Sequence, residues 1–103
     1  YIKGISNPLI HLPAVTIDSA HVWHLFVVRT ANRDKFIQHM RENGVGTLIH
    51  YPIPPHKQEA YKHLNTLSFP ITEKIHDEVL SLPISPVMSD EEIDMVIKCI
   101  NDF

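Results

Sequence analysis

The chain has 103 residues, of which 44% are apolar, and a net charge of −3 when its eight histidines are neutral. That length allows one domain with one core, and that apolar fraction is too high for a disordered tail. Twelve acidic against nine basic residues leave no basic face for nucleic acid, and no apolar run reaches the roughly 20 residues that a bilayer span takes.

Residues 1–20 have little periodicity. Pro8 and Pro13 interrupt any helix, and Asn7-Pro8 favours a turn. An extended lead-in is expected there. His21 to Thr30 reads as the strongest strand, because Val22, Trp23, Leu25, Phe26, Val27 and Val28 are aliphatic or aromatic with little polar interruption. A helix is expected from Asn32 to Asn43. Asn32 serves as its N-cap, Phe36, Ile37 and Met40 form its apolar stripe, and Gly44 is placed to take the left-handed conformation past its end.

Gly46 to Tyr51 reads as a second strand, stopped by Pro52, Pro54 and Pro55, since proline cannot donate to a ladder. A short helical turn is expected from His56 to Leu64. Thr72 caps the next helix, with Glu73 in its first turn and Ile75 and Val79 on its apolar side. Leu80 to Ile84 is a third short strand. The last helix begins at a capping box, Ser89-Asp90-Glu91-Glu92, after which Ile93, Val96, Ile97 and Ile100 recur at helical spacing. The expected class is α+β: a two-layer sandwich of a three-stranded sheet covered by helices.

The single cysteine, Cys99, lies on that last apolar stripe and reads as a small buried hydrophobe in a reducing, cytoplasmic setting. The N-terminus has no signal-peptide layout. It opens on Tyr1 rather than Met, so a piece of a longer protein is expected. Its former interface would then be exposed and prone to self-association, with Ile2, Ile5, Leu9 and Ile10 as candidates.

Eight histidines raise the question of a metal. Zinc needs three or four converging ligands. His21 and His24 are an odd number of positions apart, so on one strand they face opposite ways. No His-x-x-x-His pair and no cysteine partner is present, and no metal site is expected. The acidic residues gather at helix starts, where capping explains them. Neither a nucleophile elbow nor a phosphate-binding glycine loop occurs, so no catalytic residue is assigned.

The segment Ile49-His50-Tyr51-Pro52 carries the most chemistry. A strand ends on two large polar-tipped side chains, and prolines then stiffen the backbone. His donates and accepts hydrogen bonds, and Tyr offers a hydroxyl on a flat apolar ring. Such a pair fits sugar recognition. It fits better a strand end whose His and Tyr cap a structural turn, and the residue types alone favour that reading while leaving the other open.

The order of motifs carries more. His21-Val22-Trp23-His24-Leu25-Phe26-Val27-Val28-Arg29 is followed by Arg33, Asp34 and Phe36, then Gly44-Val45-Gly46-Thr47. His50-Tyr51-Pro52-x-Pro54-x-His56-x-Gln58-x-Ala60-Tyr61 comes next. Phe69-Pro70-x-Thr72-Glu73, Leu80-Ser81-Leu82-Pro83-Ile84 and Met88-Ser89-Asp90-Glu91-Glu92-Ile93 complete the series. From about His21 onward it is similar to the C-terminal part of the DegT/StrS-type sugar-nucleotide aminotransferases.

The resemblance implies the small domain of a fold-type-I PLP enzyme, with residues 1–20 leading in from a large domain and residues 21–103 forming the small one. It implies a homodimeric parent that passes an amino group, usually from glutamate, through pyridoxal 5'-phosphate to a nucleotide-linked keto sugar. Amino-sugar or cell-surface polysaccharide biosynthesis is the setting it implies. His50 and Tyr51 match family positions near the sugar, and His56 matches a nearby histidine. None of Lys3, Lys35, Lys57, Lys62, Lys74 or Lys98 matches the Schiff-base context, so this chain alone is expected neither to bind the cofactor nor to transaminate. A parent lacking the catalytic lysine would be a dehydratase. The alternative class is a stand-alone binding module with an aminotransferase-like fold and no catalysis.

Overall fold

The computed structural model describes residues 1–103, with Asp18 described through its main chain only. Two strands, β1 (Phe26–Arg29) and β2 (Val79–Leu82), pair antiparallel, with Phe26 opposite Leu82 and Arg29 opposite Val79. Three α-helices accompany them: α1 (Arg33–Glu42), α2 (Pro70–Glu78) and α3 (Asp90–Asn101). Short 3-10 helices cover Asp18–Ala20, Pro55–Lys57 and Glu59–Leu64. The α+β class holds.

The sheet has two strands where three were expected. The segment 46–51 contributes a single bridge, Leu48 to Ser81, with main-chain hydrogen bonds of 3.2 and 2.7 Å. A turn at Gly44 precedes this segment and Pro52 follows it, so few residues are left to extend a ladder. On the other edge, His11 bridges Arg29 in the same way.

The expected strand from His21 is also shorter. Trp23 takes a φ of +48°, a left-handed conformation that interrupts an extended chain. Its amide donates to His21 Nδ1 at 3.1 Å, and its ring stacks on His21 and Phe26, with centroids 3.8 and 5.1 Å away. Residues 21–25 therefore form an irregular segment, bent at His24, with an aromatic stack.

Side chains alternate across the sheet with period two. Phe26, Val28, Leu80 and Leu82 join the core with Phe36 and Met40 of α1 and Val96 and Ile100 of α3. The two helices also touch directly: Cys99 Sγ lies 3.4 Å from Met40 Sδ, and His39 Nε2 donates to the Cys99 carbonyl at 2.8 Å. Val79 and Ser81 alternate to the other face, and both are buried.

The helix ends follow local rules with two exceptions. Gly44 has a φ of +77°, and the amides of Gly44 and Val45 donate to the carbonyls of Arg41 and Met40, the paired bonds of a Schellman ending. Ser89 and Glu92 form the reciprocal capping box, at 3.2 and 2.9 Å. Asn32 holds the N-cap position of α1, but its side chain makes no capping bond. α2 begins at Pro70, two residues before the expected cap at Thr72, because Glu73 reaches back to the Phe69 amide at 3.0 Å and proline fits a first helical position.

The lead-in is part of the core. Ile5 and Ile10 are buried, which corrects their assignment to an exposed interface; Ile2 and Leu9 remain exposed. Asn101 ties this segment to α3, donating to the Gly4 carbonyl at 2.9 Å and accepting from the Ser6 amide at 2.8 Å. Gly4 packs closely on α3 there: a Cβ would meet Ile97 Cδ1 at 2.7 Å, so a larger residue would make the Ile97 side chain shift.

Candidate functional site

Ser81 is the one polar residue in the run Val79-Leu80-Ser81-Leu82. A buried hydroxyl needs a partner, and it finds His50, whose Nδ1 lies 2.9 Å from Ser81 Oγ. The Leu48 bridge sets this contact up by bringing the following residues along the edge of β2. His50, Ser81, His24, Thr47 and Ile84 are among the residues lining an open cleft of about 450 Å³.

The peptide bond from His50 to Tyr51 is cis. The two rings meet edge-on, 5.5 Å between centroids, and Tyr51 is 67% exposed. Its main-chain carbonyl accepts from His76 Nδ1 on α2 at 2.6 Å. His50 and Tyr51 thus stand side by side at one edge, His50 half-buried and Tyr51 exposed.

His56 sits elsewhere. It is 4% exposed, packs edge-on against Phe69 at 4.9 Å, and donates through Nε2 to Glu73 Oε1 at 2.8 Å. The Phe69 amide holds the Glu73 carboxyl below the usual carboxylate range, and the His56 hydrogen bond and the Lys57 charge add to that. Neither His56 nor Tyr51 lines the His50 cleft. The sequence motif brought three residues to attention; the structure brings two of them together and buries the third against α2.

Ser81, His76 and Glu73 hold the segment and were not singled out for this role by the sequence. Ser81 alone carried a signal, as a hydroxyl in a strand apolar on both faces. Among the described residues, no three His, Cys, Asp or Glu side chains cluster as a metal would need, and no helix is long and apolar enough to cross a membrane.

The residues present do not fit pyridoxal phosphate. All six lysines are exposed. Lys57 donates to the carbonyls of Asn65 and Leu67, while Lys62 and Lys74 lie 3.8 Å from Glu59 and Glu78. A phosphate is commonly held at a helix N-terminus, yet each α-helix here has an acid in its first turn: Asp34, Glu73, and Asp90 with Glu91 and Glu92.

Residues 5–101 match the DegT/DnrJ/EryC1/StrS aminotransferase family. The chain is 58% identical over 103 residues, its whole length, to the dTDP-3-amino-3,6-dideoxy-alpha-D-galactopyranose transaminase of Aneurinibacillus thermoaerophilus, of which it covers 28%. It is similar in structure to Streptomyces venezuelae DesV in complex with a ketimine intermediate, with a TM-score of 0.91 and 38% identity over 99% of this chain and 28% of that one. NtdA of Bacillus subtilis with bound cofactor PMP gives a TM-score of 0.80 and 33% identity over 90% of this chain and 22% of that one. The chain therefore spans about 28% of the length of the first two.

Proposed function

Because the chain belongs to the DegT/DnrJ/EryC1/StrS aminotransferase family, we propose that it is the small-domain part of a PLP-dependent enzyme that moves an amino group from glutamate to a nucleotide-linked keto sugar. The observation that carries this reading is the 58% identity along the whole chain to a dTDP-sugar transaminase. A dTDP-linked keto-deoxyhexose is the substrate class, and amino-sugar or cell-surface polysaccharide biosynthesis in the cytoplasm is the setting. The cofactor and its lysine belong to the remainder of the enzyme. Residues 21–103 form the body of the small domain, and residues 1–20 lead into it.

The residues of this chain bind and orient. His50, with Nδ1 engaged by Ser81, leaves Nε2 for a sugar hydroxyl. Tyr51 offers an exposed ring face and hydroxyl. His56, buried against Glu73, contributes through the shape of the segment. A homodimer accords with the strongly exposed apolar side chains Val22, Val87 and Ile71.

The test runs the reaction backwards with the enzyme that contains this chain. dTDP-3-amino-3,6-dideoxy-α-D-galactopyranose and 2-oxoglutarate should yield the keto sugar and glutamate. H50A and Y51A should each raise KM for the sugar roughly tenfold, the scale of one or two lost hydrogen bonds. A cofactor-loaded enzyme that turns over no dTDP-linked amino sugar would refute the reading.

A further inference from the structure

Two side chains grip the His50–Tyr51 pair from different elements. Ser81, 5% exposed, makes three bonds to the segment before Tyr51. Its amide and carbonyl pair with Leu48, and its hydroxyl meets the His50 ring. His76 takes the next residue by its main chain. A carbonyl only accepts, so Nδ1 of His76 carries the proton that bonds the Tyr51 oxygen. His76 is itself anchored, because its own carbonyl accepts from Arg33 Nη1 of α1. Three residues earlier on α2, and so near it on the helix surface, Glu73 accepts from both His56 and the Phe69 amide. The proline-rich segment is thereby fastened to β2 at His50 and to α2 at Tyr51 and His56.

We infer that Ser81 and His76 are positioning residues for sugar binding. Ser81 fixes the ring of His50, and His76 fixes the main chain of Tyr51, so that the two side chains meet the sugar in one relative pose. The inference rests on the proposed function, which assigns His50 and Tyr51 to the sugar. Holding the pair in place before binding removes the cost of ordering it on binding. Neither Ser81 nor His76 need touch the reacting atoms. Their loss should therefore weaken sugar binding and leave the chemical step alone.

The experiment measures both substrates separately in the enzyme containing this chain, using dTDP-3-amino-3,6-dideoxy-α-D-galactopyranose and 2-oxoglutarate. S81A and H76L should each raise KM for the sugar about 3- to 10-fold, the worth of one hydrogen bond. Both kcat and KM for 2-oxoglutarate should stay within twofold. S81T keeps the hydroxyl and H76N keeps a donor, so each should restore most of the sugar affinity. A general loss of kcat and of both affinities, or no rescue, would mean a merely structural role and overturn the inference. If H50A and Y51A raise the sugar KM while S81A and H76L do not, the inference fails and the site reading survives. If H50A and Y51A leave that KM unchanged, the site reading itself fails. Should S81A not fold, the surface-accessible His76 pair of variants decides alone.

Discussion

Replacing Glu78 by Gln removes a charge from the junction between α2 and β2, and the structure sets what that costs. Glu78 is the last residue of α2, where the helix dipole disfavours a carboxylate. It stays because Arg29 reaches it with two nitrogens, Nε at 3.1 Å and Nη2 at 2.7 Å, both on Oε2. Hydrogen bonding by Arg29 holds the Glu78 carboxyl below the usual carboxylate range; burial opposes this, and the charges of Arg29, Lys74 and His11 assist it. Breaking a fully buried pair costs about 3–5 kcal/mol. Here the Glu78 side chain is 11% exposed and that of Arg29 39%, so the freed guanidinium can turn to water, and a Gln oxygen still accepts one bond. The expected loss is therefore lower, about 2 kcal/mol. Unfolding entropy near 2.1 cal/mol/K per residue gives about 0.22 kcal/mol/K for a chain of this size, so Tm should fall by roughly 9 °C. The folded pKa lies below the unfolded one, so this stabilisation is complete above the unfolded pKa, about 4.3, and is lost as pH falls through the folded value. Thermal unfolding followed by circular dichroism from pH 8 to pH 3 checks both points. The gap between wild type and E78Q should be level near neutrality and close in acid. A gap under about 0.5 kcal/mol at pH 7, or one that persists undiminished in acid, would refute the reasoning.

In a urea titration, Gly44→Ala should destabilise by about 1 kcal/mol through the backbone alone, because φ is +77° while a Cβ there would meet nothing within 4 Å; G44N should lose less. Ser89→Ala should cost about 1 kcal/mol, and hydrogen exchange should show the lost protection concentrated in the first turn of α3. Cys99 is buried, and burial, with a smaller contribution from Asp102, pushes its thiol pKa up. A thiol-specific reagent should label it only as the chain unfolds, and rapid labelling of the folded chain would contradict the packing of Cys99 against Met40.

The elements that matched their sequence reading are those whose instructions are local. The α3 capping box lies within four residues, and the end of α1 is decided by one glycine. Strands are another matter, because a ladder needs a partner at the right distance. Nothing within Gly46 to Tyr51 announces that only Leu48 will meet Ser81. Nothing in the apolar run from His21 announces that Trp23 will turn left-handed and stack its ring. The α2 start moved for a similar reason: Glu73 caps the Phe69 amide from inside the helix and makes Thr72 unnecessary as a cap.

The site divides along the same line. Residue chemistry alone favoured a structural turn for His50 and Tyr51 over a sugar contact, and the order of motifs along the chain reversed that preference. What holds them could not be read that way, since their partners are 31 and 25 positions away, at Ser81 and His76. His56 shows the converse. Its place in the motif associated it with the sugar, but its surroundings are Phe69 and Glu73, and a histidine bonded to a carboxylate and 4% exposed has little surface left for a ligand. A motif reports which residues travel together, and burial reports which of them can touch something else. Applied to this segment, the two criteria agree with the proposed sugar contact at His50 and Tyr51, while Ser81, Glu73 and His76 hold the segment to β2 and α2 and His56 is buried against it.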